Sequence, residues 1–450
     1  MRNLNTFFSS GLTKKNSLIL ILTFTVIVIL DLTVVKFASY TGQQLPTSWN
    51  VQIFIAFSFV FSIISILFLY MTRKTSESVY TLPINIKYLR GFFFFSQTTT
   101  ISIISIIILQ MILSNKYNII LVRAETYLAY ISTLIFLIFL VFLFIGWFKS
   151  KRNYIIMLFT ISFSLLIINL VISLIYLDSY FSSSVKQTIQ PYQITSFVTN
   201  FGGSSFHQQI AFTHDMLSIL SFSFMWIATA ILLSQYRYKI GKIKYFILVS
   251  IPLIYYIFPF EGYFGNIFFS LILDYPITFA IIYILIFSAT KQIGALFFSI
   301  FFLIASILVA KSKVRQSILF SAIGMVIIFG SLDIATLQYS VYPPFGLITT
   351  AFMPLGSYLL FIGILSSAQN ISRNIQIRKE VYKSANSQFD LLKIIGMAQM
   401  EKELLKKYKS ISKYTSMSEE EVDKLDQDEI REIVHDVVNE LLTTKKIRKS

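Results

Sequence analysis

The chain of 450 residues has no cysteine. That excludes a disulfide framework, a thiolate metal site and a cysteine nucleophile. Charge is scarce: Asp, Glu, Lys and Arg make up 13% of residues, about half the share of an average soluble domain. There are three histidines and nine prolines, and no proline falls in the first six apolar spans. Walker loops, HExxH and GxSxG are missing, as are the paired acids that membrane glycosyltransferases carry in a first external loop. The basic motif expected after the second helix of major-facilitator transporters is missing too. The sequence offers no catalytic residue, resident metal or cofactor.

Apolar residues are abundant instead. They form 55% of the chain, 45 of them Phe and 25 Tyr, with mean hydropathy +0.70. They gather in runs of about 17–25 residues, each long enough as a helix to cross about 30 Å of hydrocarbon. The fold class is therefore all-α: a polytopic integral membrane bundle. Clear spans are Leu18–Phe37, Asn50–Met71, Phe92–Ile112, Tyr127–Phe148, Tyr154–Leu177, Phe212–Ser234, Lys244–Phe260, Gly294–Ala310, Gln316–Leu337 and Phe345–Ile364. Arg2, Lys14 and Lys15 precede the first run, which reads as a retained helix rather than a signal peptide because no small-residue cleavage site follows.

Basic residues mark alternate connections: Arg73 to Arg90, Lys149 to Arg152, Arg237 to Lys244 and Lys311 to Arg315. The positive-inside rule makes these connections, the N-terminus and the basic tail cytoplasmic. The net charge of +16 then reflects helix orientation and contact with anionic lipid, with no nucleic-acid partner. An even number of crossings must separate Lys244 from Lys311. One helix over 262–290 breaks that parity. Breaking it at Asp274-Tyr275-Pro276, with Asp274 as N-cap and Pro276 in the first turn, restores it and gives about twelve crossings. A re-entrant hairpin over 262–290 gives ten and leaves Asp274 within the membrane. Both place the two termini in the cytoplasm.

The chain divides into residues 1–177 with five spans, an external loop at 178–211, a second membrane half at 212–367 that holds Pro252, Pro259, Pro276 and Pro354, and a tail at 368–450. Residues 369–415 carry ten bases and four acids, whereas 416–450 carry ten acids and six bases. Leu391, Leu392, Ile395, Met397, Met400, Leu404 and Leu405 recur at helical spacing. Ser418 and Glu421 form a capping box before a second amphipathic stretch. The two stretches suit each other, a second copy or a cytoplasmic protein.

Candidate site residues are polar groups where polarity is costly. Asp31 and Asp333 lie within apolar runs, and acids in membranes point to function by default. His207, His214 and Asp215 share the same expected external side; their spacing is not that of a metal site. Asp274 completes the set. Glu125 falls just before the span at Tyr127 and reads as an acid of the outer surface. YPPFGLITTAFMPLGSYLLFIGILSSAQNIS, residues 342–372, resembles the closing segment of uncharacterised multi-pass membrane proteins of ammonia-oxidising archaea. The resemblance implies an archaeal plasma membrane and carries over no catalytic residues. The sequence favours a sensor or scaffold coupling the membrane core to a cytoplasmic tail, with a secondary transporter for a small solute as the alternative.

The absence of cysteine permits a direct test of the break at Asp274. In the twelve-crossing reading, Asp274→Cys reacts with an impermeant thiol reagent from the cytoplasm alone and Lys291→Cys from outside alone. Shielding of position 274 from both sides favours the hairpin, and cytoplasmic labelling of position 291 defeats both.

Overall fold

The computed structural model describes residues 14–41, 47–77, 84–183, 188–189, 205–235, 237, 241–253, 292–306, 313–331, 342–373 and 390–414. Among the described residues seven helices are long and apolar enough to cross a membrane, and the stretches Leu18–Asp31 and Gln292–Ser306 are apolar and helical over shorter lengths. In chain order the helices are α1 (Lys14–Thr41), α2 (Thr47–Glu77), α3 (Ile84–Ser114), α4 (Ile119–Ser150), α5 (Tyr154–Ser183), α6 (Ser205–Ser234) and α7 (Lys242–Ser250). Then come α8 (Gln292–Ser306), α9 (Lys313–Ser331), α10 (Leu347–Ala351), α11 (Met353–Arg373) and α12 (Asp390–Tyr414). The expected break at Asp274, the acid Asp333 and the capping box at Ser418 lie outside the described residues.

Several helices run past their apolar spans. α4 starts at Ile119 rather than Tyr127, capped by the Asn118 side chain, which accepts from the Ile120 N–H. α5 continues to Ser183 and α6 starts at Ser205, which shortens the connection expected at 178–211 from both ends. Part of that connection pairs with the α3–α4 turn, Tyr117 opposite Ile189 and Asn118 opposite Thr188.

α10 and α11 form the post around which the others stand. Every residue from Tyr342 to Gln369 is buried. Phe352 packs edge-on against Phe24 of α1 and Phe61 of α2. Tyr358 stacks on Phe93 of α3, with centroids 3.8 Å apart, and meets Phe136 of α4 edge-on. A second aromatic group joins the α5–α6 pair to α9: Phe298 of α8 meets both Phe222 and Phe329, and Phe163 of α5 reaches Phe329.

Lipid is as apolar as leucine, so helices in a membrane gain little by merely hiding apolar surface from it. Close backbone approach and hydrogen bonds decide which faces meet. α9 and α11 run antiparallel at such a distance. A Cβ on Gly324 would lie 2.4 Å from the Leu360 nitrogen, one on Gly356 2.6 Å from Ile327 Cγ2, and one on Gly363 2.6 Å from the Ser321 nitrogen. Hydroxyl and amide pairs set other interfaces. Ser96 and Ser132 join α3 to α4 at 2.7 Å, and Gln97 donates to Ser65 of α2 at 3.1 Å. Ser162 and Ser221 exchange bonds to each other's carbonyls, at 2.8 and 3.0 Å, across α5 and α6.

These contacts fix direction. One end of the bundle collects Arg90, Lys149, Lys151, Arg152, Lys242, Lys244 and Arg315; the opposite end holds Asp31, Tyr117, His214, Gln292 and Tyr342. α7 leaves the basic end, α8 starts from the Asp31 end, where Gln292 donates to the Gly330 carbonyl at 2.9 Å, and α9 starts again from the basic end.

The α9–α11 contact predicts a sharp asymmetry between glycines. Gly324→Ala is expected to lower stability by about 1–3 kcal/mol through overpacking. Gly91→Ala, whose Cβ would meet nothing within 4 Å, is expected to be neutral or mildly stabilising. Thermal unfolding of both variants in detergent checks this.

Candidate functional site

Asp31 is fully buried within α1, ten residues before its end at Thr41. Its partners lie far along the chain. The Gly346 N–H donates to Oδ1 at 3.0 Å, and the Thr349 N–H donates to Oδ2 at 3.2 Å, joined there by the Thr349 hydroxyl. The residues that receive Asp31 are arranged by the YPPFG turn. Gly346 adopts a left-handed φ of 88°, which a Cβ would strain. Its own side cannot cap α10, and no local side chain does so. Asp31 supplies the missing acceptor from α1. It satisfies amides that the start of a helix leaves without partners.

The turn is held from the other side as well. Phe345 meets Phe54 of α2 edge-on, and Tyr342 stacks on Tyr117 with centroids 6.1 Å apart. Burial pushes both phenols above the usual tyrosine range, which keeps the stacked pair neutral.

Among the other expected site residues, His214 and Asp215 are both in α6. His214 Nδ1 lies 3.2 Å from Asp215 Oδ1, the histidine side chain 19% exposed and the aspartate 46%. The Ser162–Ser221 register carries forward two turns on each helix to set buried Asn169 of α5 level with His214. His207 belongs to the first turn of α6, and its side chain is outside the described residues. Asp274 and Asp333 are outside them altogether, so the six candidates are not gathered into one described site. Among the described residues no three His, Cys, Asp or Glu side chains come together to hold a metal ion.

Sequence reasoning placed Glu125 at the outer surface. The structure places it inside α4, fully buried, with neither carboxyl oxygen meeting a hydrogen-bond partner. The usable signal was periodic: Val122, Glu125, Ala129, Ser132 and Phe136 share one helical face, and only Glu125 on that face is charged.

At the basic end the first tail helix is docked on the membrane core. Leu391, Leu392, Ile395 and Ala398 of α12 are buried. Gly396 lies so close to α11 that a Cβ there would come 2.5 Å from Ile371 Cγ2. Polar contacts reach α4: the Trp147 indole donates to Gln399 at 3.3 Å, the Ser150 hydroxyl donates to Glu401 at 2.8 Å, and Lys151 lies 3.9 Å from the same carboxylate.

Together these features define a helical membrane protein whose buried central post is fastened at both ends. Compared with protein-family models, curated proteins and solved structures, the chain matches none.

Asp31→Asn retains the size of the side chain but turns an amide NH₂ toward donors. It is expected to cost about 1–3 kcal/mol, the range for a buried donor left without its acceptor. Thr349→Val removes one of three donors and is expected to cost less. Thermal unfolding of the two variants side by side measures the order.

Proposed function

We propose that this protein is a non-enzymatic membrane sensor or scaffold, in which the state of the Asp31 end is coupled to the tail through the α10–α11 post. The observation that carries this reading is the post itself. One continuous buried segment is held at its start by Asp31 and at its finish by α12, and it touches α1, α2, α3, α4 and α9 between. A shift of a packed helix along its axis is a recognised switching movement, and a post gripped at both ends transmits such a shift to the tail.

In this reading the basic end is cytoplasmic and α12 presents its exposed side to a cytoplasmic protein or a second copy of the chain. The membrane is the plasma membrane, in keeping with the archaeal resemblance of residues 342–372. The crossings number about twelve: Lys244 and Arg315 stand at the same end, which suits an even number between them, as does the ten-crossing arrangement with a hairpin. The transporter alternative draws mainly on the proline-rich segment around Asp274, outside the described residues.

Coupling is testable without a known ligand. Cysteines placed at Lys149 and Lys402 carry a pair of spin labels, and their separation in nanodiscs reports docking of α12. Asp31→Ala is expected to broaden and lengthen that distance although it lies at the far end of the post. Gln399→Leu, a local change at the dock, provides the size of a full release. A distance unmoved by Asp31→Ala, in a protein that still binds lipid and unfolds cooperatively, defeats the coupling. Solute uptake into proteoliposomes that persists after removal of residues 390–450 favours the transporter.

A further inference from the structure

Glu125 has no role in the post or its fastenings, and its surroundings are unusual for a membrane acid. On α3 no charged residue occurs between Arg90 and Lys116, and on α10 and α11 none occurs before Arg373. On its own helix the neighbouring cation is Arg123, whose guanidinium lies over the Tyr127 ring at 5.5 Å. α5 carries a single charged residue, Asp178, whose side chain is outside the described residues, and Asp31 on α1 is occupied by Gly346 and Thr349. Of the phenols on these elements and their turns, Tyr88 and Tyr154 stand at the basic end, the side chains of Tyr40 and Tyr180 are outside the described residues, and the rest are Tyr117, Tyr127, Tyr130, Tyr176, Tyr342 and Tyr358. An ionised carboxylate in such a place, with no hydrogen-bond donor and no counter-charge among the described residues, is expensive enough that the group takes a proton instead.

Register locates it. The Ser96–Ser132 bond aligns α3 with α4, and the bond from the Asn118 N–H to Gln110 Oε1 at 3.0 Å keeps the same alignment at the Asp31 end. Glu125 thus stands level with Ile103 and Ile104. The Phe136–Tyr358 contact aligns α4 with α11 and puts Glu125 level with Leu347. Toward the basic end the α3–α4 seam is polar. Thr100 is fully buried with its hydroxyl oxygen unpartnered, about one turn from the level of Glu125. The Ser96–Ser132 pair lies about one turn further, and Gln97 with Ser65 beside it; all four are fully buried. Ser96 stands about 9 Å along the axis from Arg90 at the basic end.

We propose that Glu125 is an intramembrane proton-binding site, and that Thr100 and the Ser132–Ser96 pair form the polar path by which its proton exchanges with the basic end. The Ser96 and Ser132 hydroxyl oxygens lie 2.7 Å apart, within hydrogen-bond reach of each other across α3 and α4. Neither Glu125 nor Thr100 hydrogen-bonds to another group at rest, so water entering the polar seam is the co-reactant. The Glu125 O–H bond breaks and its proton joins a water oxygen, that water releases a proton to the next oxygen along the seam, and bulk water at the basic end takes up the last proton while Glu125 is left as the carboxylate. No oxidant is needed. The site does not depend on the sensor reading, since a sensor and a transporter could each contain it.

Infrared spectroscopy of the full chain in nanodiscs tests the proposal directly. At neutral pH the protein is expected to show the carbonyl stretch of a protonated carboxylic acid, shifting in D₂O within minutes. Glu125→Gln, which has the shape of the protonated acid, should abolish the band. Glu125→Asp should move it, and serves if the glutamine variant fails to fold. Thr100→Val should retain the band but slow its exchange at least tenfold. A neutral-pH spectrum without the band overturns the site, as does a band that survives Glu125→Gln. Loss of the wild-type band on adding sodium marks a metal-cation site and overturns it too. A band that never exchanges marks a sealed structural acid, and exchange unchanged in Thr100→Val overturns the path.

Discussion

The antiparallel contact of α9 with α11 is the constraint on which the rest of the bundle depends. In water two apolar helices attract through the surface they hide; in lipid that gain is nearly absent, and what remains is the fit of atoms. Gly324, Gly356 and Gly363 bring two backbones together where any larger residue would hold them apart. The pair then presents its outward faces to α1, α2, α3 and α4 on one side and to α5 and α8 on the other, with α6 joined to it through α8. Aromatic rings fill the wider gaps, as Phe352 and Tyr358 do on one side and Phe298 and Phe329 on the other. Displacing the pair would loosen both groups at once.

Polar groups follow the same economy. Each buried hydroxyl or amide must find a partner or incur a cost, and most are satisfied within a turn of their own helix, as Thr126 and Thr133 are through the carbonyls of Val122 and Ala129. Those that reach another helix act as registers: Ser96 with Ser132, Ser162 with Ser221, Gln292 with Gly330. Asp31 is the extreme case, an acid that would be costly in an apolar run and is made tolerable by three donors from a turn 315 residues later.

Local periodicity explains what could and could not be read in advance. Membrane spans are legible because hydropathy is a property of neighbouring residues, and the bundle of apolar helices followed from it. The start of α4 was misread because Arg123 and Glu125 look like a loop when charge is counted along the chain. In three dimensions Arg123 lies over Tyr127 and Glu125 turns inward. Asp31 was visible as an anomaly, but the donors that explain it lie beyond any spacing rule. The apolar spacing from Leu391 to Ile395 showed that the tail had a face to bury without showing that α11 receives it.

The enclosure of the Tyr342–Gln369 segment has a consequence for assembly. The part of the bundle with no lipid-facing surface is made after all the helices that surround it, α1 to α9. Helices α1 to α6 must therefore enter the bilayer and wait with a central slot unfilled, meeting lipid or one another along faces that later belong to the post. Only when residues 342–349 have been made can Asp31 find its amides, and only then does the tail have its seat. Completion of the core thus waits for this segment, and a chain halted before it lacks its centre rather than its edge.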